Sequence, residues 1–120
     1  MTLGQFKTYR DLAAWTASYA LTLHVYRVTA GFPRSEQYGL TSQMRRAASS
    51  VPSNIAEGWG RGTSTGDFVR FLTIARASLH ELSTQVELAR DLGYHDDDSL
   101  LKSVDRCGRI LAGLIRTTRC

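Results

Sequence analysis

Apolar residues recur at helical spacing along most of the chain and divide it into four segments. The clearest pattern alternates spacings of four and three through three heptads, at Phe68, Leu72, Ala75, Leu79, Leu82, Val86 and Ala89. This pattern predicts one long helix that packs lengthwise against its neighbours. No segment flanked by turns alternates apolar and polar residues, so no strand is predicted.

The first segment, residues 9–30, contains neither glycine nor proline and carries two apolar stripes. One stripe consists of Leu12, Trp15, Tyr19 and Tyr26, with Thr22 in its gap, and the other of Ala14, Leu21, Val25 and Val28. Two stripes are more apolar surface than one bundle core needs, so part of this helix is predicted to meet another subunit. The glycine- and proline-containing stretch 31–39 predicts a connection that turns the chain.

The second helix is predicted to start near Leu40 and to stop at Gly58. Its apolar face consists of Leu40, Met44, Ala47 or Ala48, Val51 and Ile55. The segment WGRGTSTG (59–66) is predicted to be a loop, and Ser64 or Thr65 is expected to cap the third helix, whose first turn carries Asp67.

The fourth helix is predicted to follow Gly93, which suits the left-handed position after a helix end. One of Asp96, Asp97 and Asp98 is expected to cap its N-terminus. Its apolar stripe is predicted at Leu101, Val104, Gly108, Leu111 and Ile115. Four helices joined by short links predict an all-α, antiparallel up-and-down four-helix bundle, with residues 1–120 as a single domain.

A proline lies inside the second helix. Pro52 removes one backbone hydrogen bond and clashes with the preceding turn, at a cost of about 3 kcal/mol in a straight helix. The hydroxyls of Ser49, Ser50 and Ser53 are available to bond the freed carbonyls. The sequence therefore predicts a proline kink in this helix, compensated by local serines.

A cluster of candidate site residues lies beside the predicted kink. Arg46 and Asn54 are eight residues apart and share a helix face, Glu57 follows Asn54 by three, and Arg61 lies near Glu57 if the helix continues. Together with Arg45 these side chains have two interpretations. They form an ionic network that fixes helix register and subunit docking, or the three arginines face outward to phosphates.

Charge and cysteine content narrow the possible functions. The chain has 15 basic and 11 acidic residues, and 13 of the basic residues are arginine, whose planar fork suits bidentate phosphate contacts. The net charge of +4 permits a nucleic-acid partner, although solvated helix faces carry such charges as well.

Two cysteines, Cys107 and Cys120, are too few for a disulfide framework, and neither a signal peptide nor a membrane span is recognisable. We expect a cytoplasmic protein with both cysteines reduced.

Cofactor and metal motifs are weak. GWGRG (58–62) has neither the preceding strand of a dinucleotide site nor the Gly-Lys-Ser/Thr of a P-loop. His24 and His80 lie on different predicted helices, and neither has a supporting ligand motif. We therefore predict a binding or scaffold protein without catalytic residues, cofactor or metal.

The string RRAASSVPSNIAEGWGR (45–61), preceded by FPRSEQYGLTSQ and followed by DFVRFLTIARASLHEL, resembles the four-helix bundle proteins encoded in intervening sequences of 23S ribosomal RNA genes. It is also similar to the accessory variability determinant of diversity-generating retroelements. The resemblance implies a homopentamer and, for the retroelement branch, a basic surface that binds nucleic acid and a reverse transcriptase. It assigns no catalytic residue. The family motif falls on Gln43, Arg45, Arg46, Asn54, Glu57, Gly58 and Arg61.

Overall fold

Four helices account for most of the chain. The computed structural model describes residues 5–61 and 64–119. Its helices are α1 (Ala13–Thr29), α2 (Leu40–Arg61), α3 (Thr65–Asp91) and α4 (Asp98–Arg119), with 3-10 turns at Tyr9–Asp11 and Arg34–Glu36. Each helix packs against the next along the chain, and α1 also packs against α4. Short connections make consecutive helices antiparallel, so the predicted all-α four-helix bundle is confirmed.

The core consists of the apolar stripes that the sequence indicates. All seven positions of the α3 heptad pattern are buried, and so are the predicted apolar residues of α2, including both Ala47 and Ala48. In α1, Ala14, Leu21 and Val25 are buried, and Val28, the fourth residue of that predicted stripe, is half-buried. These faces remove their side chains from water against one another, which is the main stabilisation of such a bundle.

The helix caps follow the predicted chemistry. The Oγ of Ser64 accepts a hydrogen bond from the Asp67 N–H at 3.1 Å and caps α3. Gly93 has φ +82°, the left-handed conformation that suits glycine after a helix end. The carboxylate of Asp97 accepts from the Leu100 N–H at 3.1 Å and caps α4.

The predicted end of α2 at Gly58 is wrong. The helix continues to Arg61, so Trp59 and Gly60 belong to α2 and not to the connecting loop. A Cβ added to Gly58 would lie 2.6 Å from the Cβ of Phe71 and 3.1 Å from Cδ1 of Phe68. Gly58 therefore permits a close approach of α2 and α3 instead of terminating a helix.

The predicted stripe of α4 is wrong at two positions. Leu100 and Cys107 are buried, whereas Leu101 and Gly108 are only half-buried. Adjacent residues on a helix are about 100° apart, and the pattern alone did not decide between two neighbouring leucines. Val104, Leu111 and Ile115 are buried as predicted.

Two connections are fastened together at one end of the bundle. The Oε1 of Glu36 accepts from the Leu40 N–H at 3.1 Å, and its Oε2 accepts from the Tyr94 hydroxyl at 2.8 Å. The Phe32 ring lies 5.4 Å from the Tyr94 ring and 6.3 Å from the His95 ring, measured between centroids. The α1–α2 connection is thus joined to the α3–α4 connection by one carboxylate and three rings.

Candidate nucleic-acid interface

The backbone hydrogen bond that Pro52 cannot form is replaced by a side-chain hydroxyl from another helix. α2 is helical on both sides of Pro52, which has no N–H to donate to the carbonyl of Ala48. The Oγ1 of Thr22 on α1 lies 3.1 Å from that carbonyl oxygen, and it also lies 2.8 Å from a carbonyl of its own helix. Ser49 donates elsewhere, to the Arg46 carbonyl at 3.3 Å. The expected compensation by local serines is therefore wrong, because α1 supplies the hydroxyl.

Arg45 is directed toward α1. Its Nε donates to the Oγ1 of Thr29 at 2.9 Å, and Nη2 donates to the Tyr26 carbonyl at 3.4 Å. The guanidinium also lies over the Tyr26 ring, 4.6 Å from the centroid. This half-buried arginine joins α1 to α2 by hydrogen bonds and a cation–π contact.

Asn54 belongs to a polar seam between α2 and α3. Its Nδ2 donates to the carbonyl and hydroxyl oxygens of Ser50, at 2.8 Å and 3.0 Å. The Ser50 hydroxyl in turn lies 2.9 Å from the hydroxyl of Ser78 on α3. The family motif thus includes a hydrogen-bonded link that holds α2 in register with α3.

Arg46 lies apart from Arg45, in a groove between α2 and α3. The groove has a volume of about 410 Å³ and is lined by Gln43, Arg46, Ala47, Ser50, Ser78 and Glu81. Arg46 is exposed, and within residues 5–61 and 64–119 its side chain forms no ion pair. Neighbouring arginines therefore have different surroundings, one bound to α1 and one open to solvent.

Glu57 and Arg61 complete the predicted cluster. Glu57 is exposed in the last turns of α2. The side chain of Arg61 lies outside the residues that the structure describes, so its expected proximity to Glu57 stays a prediction. The five candidate residues do not share one surface, because Arg45 is directed toward α1 whereas Arg46 and Asn54 lie on the α3 side of α2.

The most basic helix face is on α4, which the sequence analysis did not single out. This α4 basic face is exposed and consists of Lys102, Arg106, Arg109, Arg116 and Arg119. One carboxylate, that of Asp105, pairs with Arg109. No acidic residue follows Asp105 along α4. The signal was available in the sequence as four arginines without a carboxylate between residues 106 and 119.

A ridge of apolar side chains is exposed on α1. Tyr19 is 48% exposed, Leu23 44% and Tyr26 45%. Trp15 stacks on Tyr19, with ring centroids 4.8 Å apart and planes 19° apart. We call Trp15, Tyr19, Leu23 and Tyr26 the α1 ridge. The prediction that part of α1 meets another subunit stays a prediction.

Two of the three histidines lie near the N-terminus of α4. The Nε2 of His24 is 2.8 Å from the Oδ2 of Asp97, while Nδ1 of His95 accepts from the Asp97 N–H at 3.0 Å. Hydrogen bonds from Ser99 and then His24 lower the pKa of Asp97 to about 2. His80 is exposed beside α4. Over the described ranges, no group of three or more His, Cys, Asp or Glu residues could hold a metal ion.

Two serines lie in short sequences that also occur at catalytic sites. Ser64 is central to GTSTG (62–66), which matches the Gly-x-Ser-x-Gly elbow, but it precedes a helix and follows one, where that elbow requires a preceding strand. Its hydroxyl caps α3. Ser99 begins a Ser-x-x-Lys sequence, and its hydroxyl donates to Asp97 at 2.6 Å. Both hydroxyls are thus engaged at helix N-termini.

Cys107 is the one described cysteine, and it packs in the core. Burial raises the pKa of its thiol to about 11, so the thiolate form is rare at neutral pH. Among the described helices, none combines the length and the apolar character needed to cross a membrane.

Comparison with known proteins gives one family and one fold. The family model for the 23S rRNA-intervening sequence protein matches residues 10–116. A protein of unknown function from the S23 ribosomal protein family of Bacteroides thetaiotaomicron has a similar structure, with a TM-score of 0.75 and 19% identity over 86% of this chain and 98% of that one. At that identity the likeness concerns the fold alone. No curated protein matches the chain.

Proposed function

Because the chain belongs to the family of 23S rRNA-intervening sequence proteins, we propose that it is a non-enzymatic nucleic-acid-binding protein that works as an oligomer of identical copies. The observation that carries this proposal is the α4 basic face. Its five cations are exposed, and Arg109 pairs with the carboxylate of Asp105.

The spacing of these cations suits a polyanion. Lys102, Arg109 and Arg116 recur every seven residues and so lie along one side of α4, about 10 Å from one to the next. Arg106 and Arg119 flank that line. Arginines in the last turn also stabilise a helix through its dipole, which accounts for Arg116 and Arg119 but not for Lys102, Arg106 and Arg109. Phosphate contact is a role that all five could share.

The test is the salt dependence of binding. Labelled RNA and DNA of about 20 nucleotides, single-stranded and duplex, are titrated with protein between about 50 and 200 mM salt, and log Kd is plotted against log salt. The triple variant Lys102→Gln, Arg106→Gln and Arg119→Gln should weaken binding and reduce the slope by about 2 to 3. The matched control carries Arg27→Gln, Arg34→Gln and Arg90→Gln and loses the same charge from other exposed positions.

Two results would overturn the proposal. One is the absence of binding to every probe at low salt. The other is an equal loss in both triple variants, because the net charge of the chain and not the α4 basic face would then account for binding.

The second candidate function is a purely structural or protein-binding scaffold. It is supported by the α1 ridge, since a face with this much exposed aromatic surface is typical of a protein contact. Five copies is the number that the family resemblance implies, and a reverse transcriptase as partner stays a prediction. Light scattering coupled to size exclusion separates the two functions. A mass increase with nucleic acid that disappears at high salt supports binding, whereas an oligomer indifferent to nucleic acid supports the scaffold.

A further inference from the structure

A groove between α3 and α4 lies away from the α1 ridge and from the family motif. It has a volume of about 680 Å³, with Leu79 and Val104 buried at its floor. Arg76, His80 and Arg109 line it with charged or titratable side chains. Its cations outnumber its one carboxylate, Asp105, which is paired with Arg109.

The groove is open because small residues line its sides, at Ala77, Gly108 and Ala112. A Cβ added to Gly108 would have one neighbour, Cδ2 of Leu79 at 3.6 Å, which is an ordinary contact. Packing within one chain therefore does not require glycine here, although glycine is less stable than alanine inside a helix. Gly58 differs from Gly108 in this respect, because a Cβ added to Gly58 would lie 2.6 Å from the Cβ of Phe71.

We infer that the α1 ridge of one copy inserts into the α3–α4 groove of the next. Tyr19, Leu23 and Tyr26 are large side chains that project from α1, whereas the groove is hollow where its small residues lie. The part of the α1 ridge from Tyr19 to Tyr26 is about 10 Å long, and the α3 wall from Thr73 to Ser83 is about 15 Å long, so these side chains fit inside the groove.

The aromatic rings of α1 and the guanidinium groups of the groove are complementary, which favours a second copy as the occupant, although the formal charges of α1 and of the groove have the same sign. α1 carries no carboxylate, so its tyrosine rings are its electron-rich groups. Arg76 and Arg109 provide guanidinium groups for the faces of those rings. The chain already makes this contact internally, with Arg45 over Tyr26 at 4.6 Å and Arg10 over Tyr9 at 4.7 Å.

The contact joins two different surfaces of the same chain. Such head-to-tail association uses one ridge and one groove of every copy. It closes into a ring when the rotation between neighbouring copies is a whole-number fraction of a full turn. The inference rests on the proposed self-association. It shares Arg109 with the α4 basic face, whereas the other four cations of that face do not line the groove.

The test measures mass by size exclusion with light scattering. The ridge variant carries Tyr19→Ser and Leu23→Ser, and the groove variant carries Gly108→Leu. Ala77→Gln is a second groove variant at an exposed position, in case Gly108→Leu does not fold. The control variant Ile74→Ser and Leu88→Ser removes two side chains from α3 that are 41% and 48% exposed and do not line the groove.

We expect the wild type and the control variant to be oligomers, and each ridge or groove variant to be a monomer with unchanged helical circular dichroism. An equimolar mixture of the ridge and groove variants should form a 1:1 dimer, because each supplies the surface that the other has lost. A monomeric wild type would overturn self-association itself. An oligomeric wild type whose ridge and groove variants keep their full mass, or whose mixture stays monomeric, would overturn this interface alone.

Discussion

The hydroxyl of Thr22 lies 3.1 Å from the carbonyl oxygen of Ala48, the acceptor that Pro52 leaves without an N–H donor. Both residues of this relationship lie at the α1–α2 contact. Ala48 is buried, so water does not replace the missing donor. A side chain of α1 therefore supplies the hydrogen-bond donor that the backbone of α2 lacks.

Thr22→Val should destabilise the protein by about 1 to 3 kcal/mol, because a buried carbonyl loses its donor while the side chain keeps its shape. Thr22→Ser retains the hydroxyl and is the matched control. In the Pro52→Ala background the restored N–H of residue 52 donates to the Ala48 carbonyl. Thr22→Val should therefore lower the free energy of unfolding by less in that background. Urea unfolding of the four proteins in this cycle measures the coupling, and an equal cost in both backgrounds would contradict the assignment.

Gly58→Ala should destabilise the protein by about 1 to 3 kcal/mol despite the better helix propensity of alanine, because its Cβ overlaps Phe71. Gly60→Ala, two residues further along α2, is the control. A Cβ added to Gly60 has nothing within 4 Å, so this variant should gain up to about 1 kcal/mol. Thermal or urea unfolding measures both, and the same sign of change for the two variants would refute the close approach.

Arg45→Ala should cost about 1 to 2 kcal/mol of stability, because it removes a hydrogen bond to Thr29 and the contact with the Tyr26 ring. Arg46→Ala should stay within about 0.5 kcal/mol, since this side chain is exposed and has no described ion pair. If Arg46 also contacts phosphate, its variant loses affinity for nucleic acid while the oligomer survives. Unfolding and binding measured on both variants separate the two interpretations of the motif arginines.

Asp97 should make stability depend on acid pH. Its pKa is lowered from 3.8 to about 2 in the folded chain by Ser99, His24 and the Leu100 N–H, so its carboxylate stabilises the fold fully above about pH 4. That contribution is lost as the pH falls through about 2. Asp97→Asn should cost about 1 kcal/mol near neutral pH, allowing for solvent screening, and less than that below about pH 3. Asp96→Asn, at an exposed neighbour, is the control, and a difference that stays constant with pH would argue against the assignment.

Much of the fold was predictable because burial follows helical periodicity. The heptad pattern of α3 identified seven buried positions correctly, and caps at Ser64 and Asp97 followed from side-chain chemistry. Gly58 was misread because glycine ends helices and also permits close packing, and only the position of Phe71 distinguishes the two.

The candidate site was less predictable than the fold. Arg45 and Arg46 are adjacent in sequence, but they project about 100° apart and contact different neighbours, which only the packed bundle determines. Thr22 was visible as a polar gap in an apolar stripe, yet nothing local connects it with Ala48, 26 residues away. The α4 basic face was visible in the sequence as four arginines without a carboxylate, but which side of α4 faces solvent is determined only by the packed bundle.

The carboxylate of Glu36 has a consequence for local unfolding. It accepts the Leu40 N–H with one oxygen and the Tyr94 hydroxyl with the other, and each contact belongs to a different connection of the bundle. Neither connection can open without giving up a bond to that carboxylate. In hydrogen exchange, amides of the two connections should therefore exchange with similar protection, as one cooperative unit at this end of the molecule.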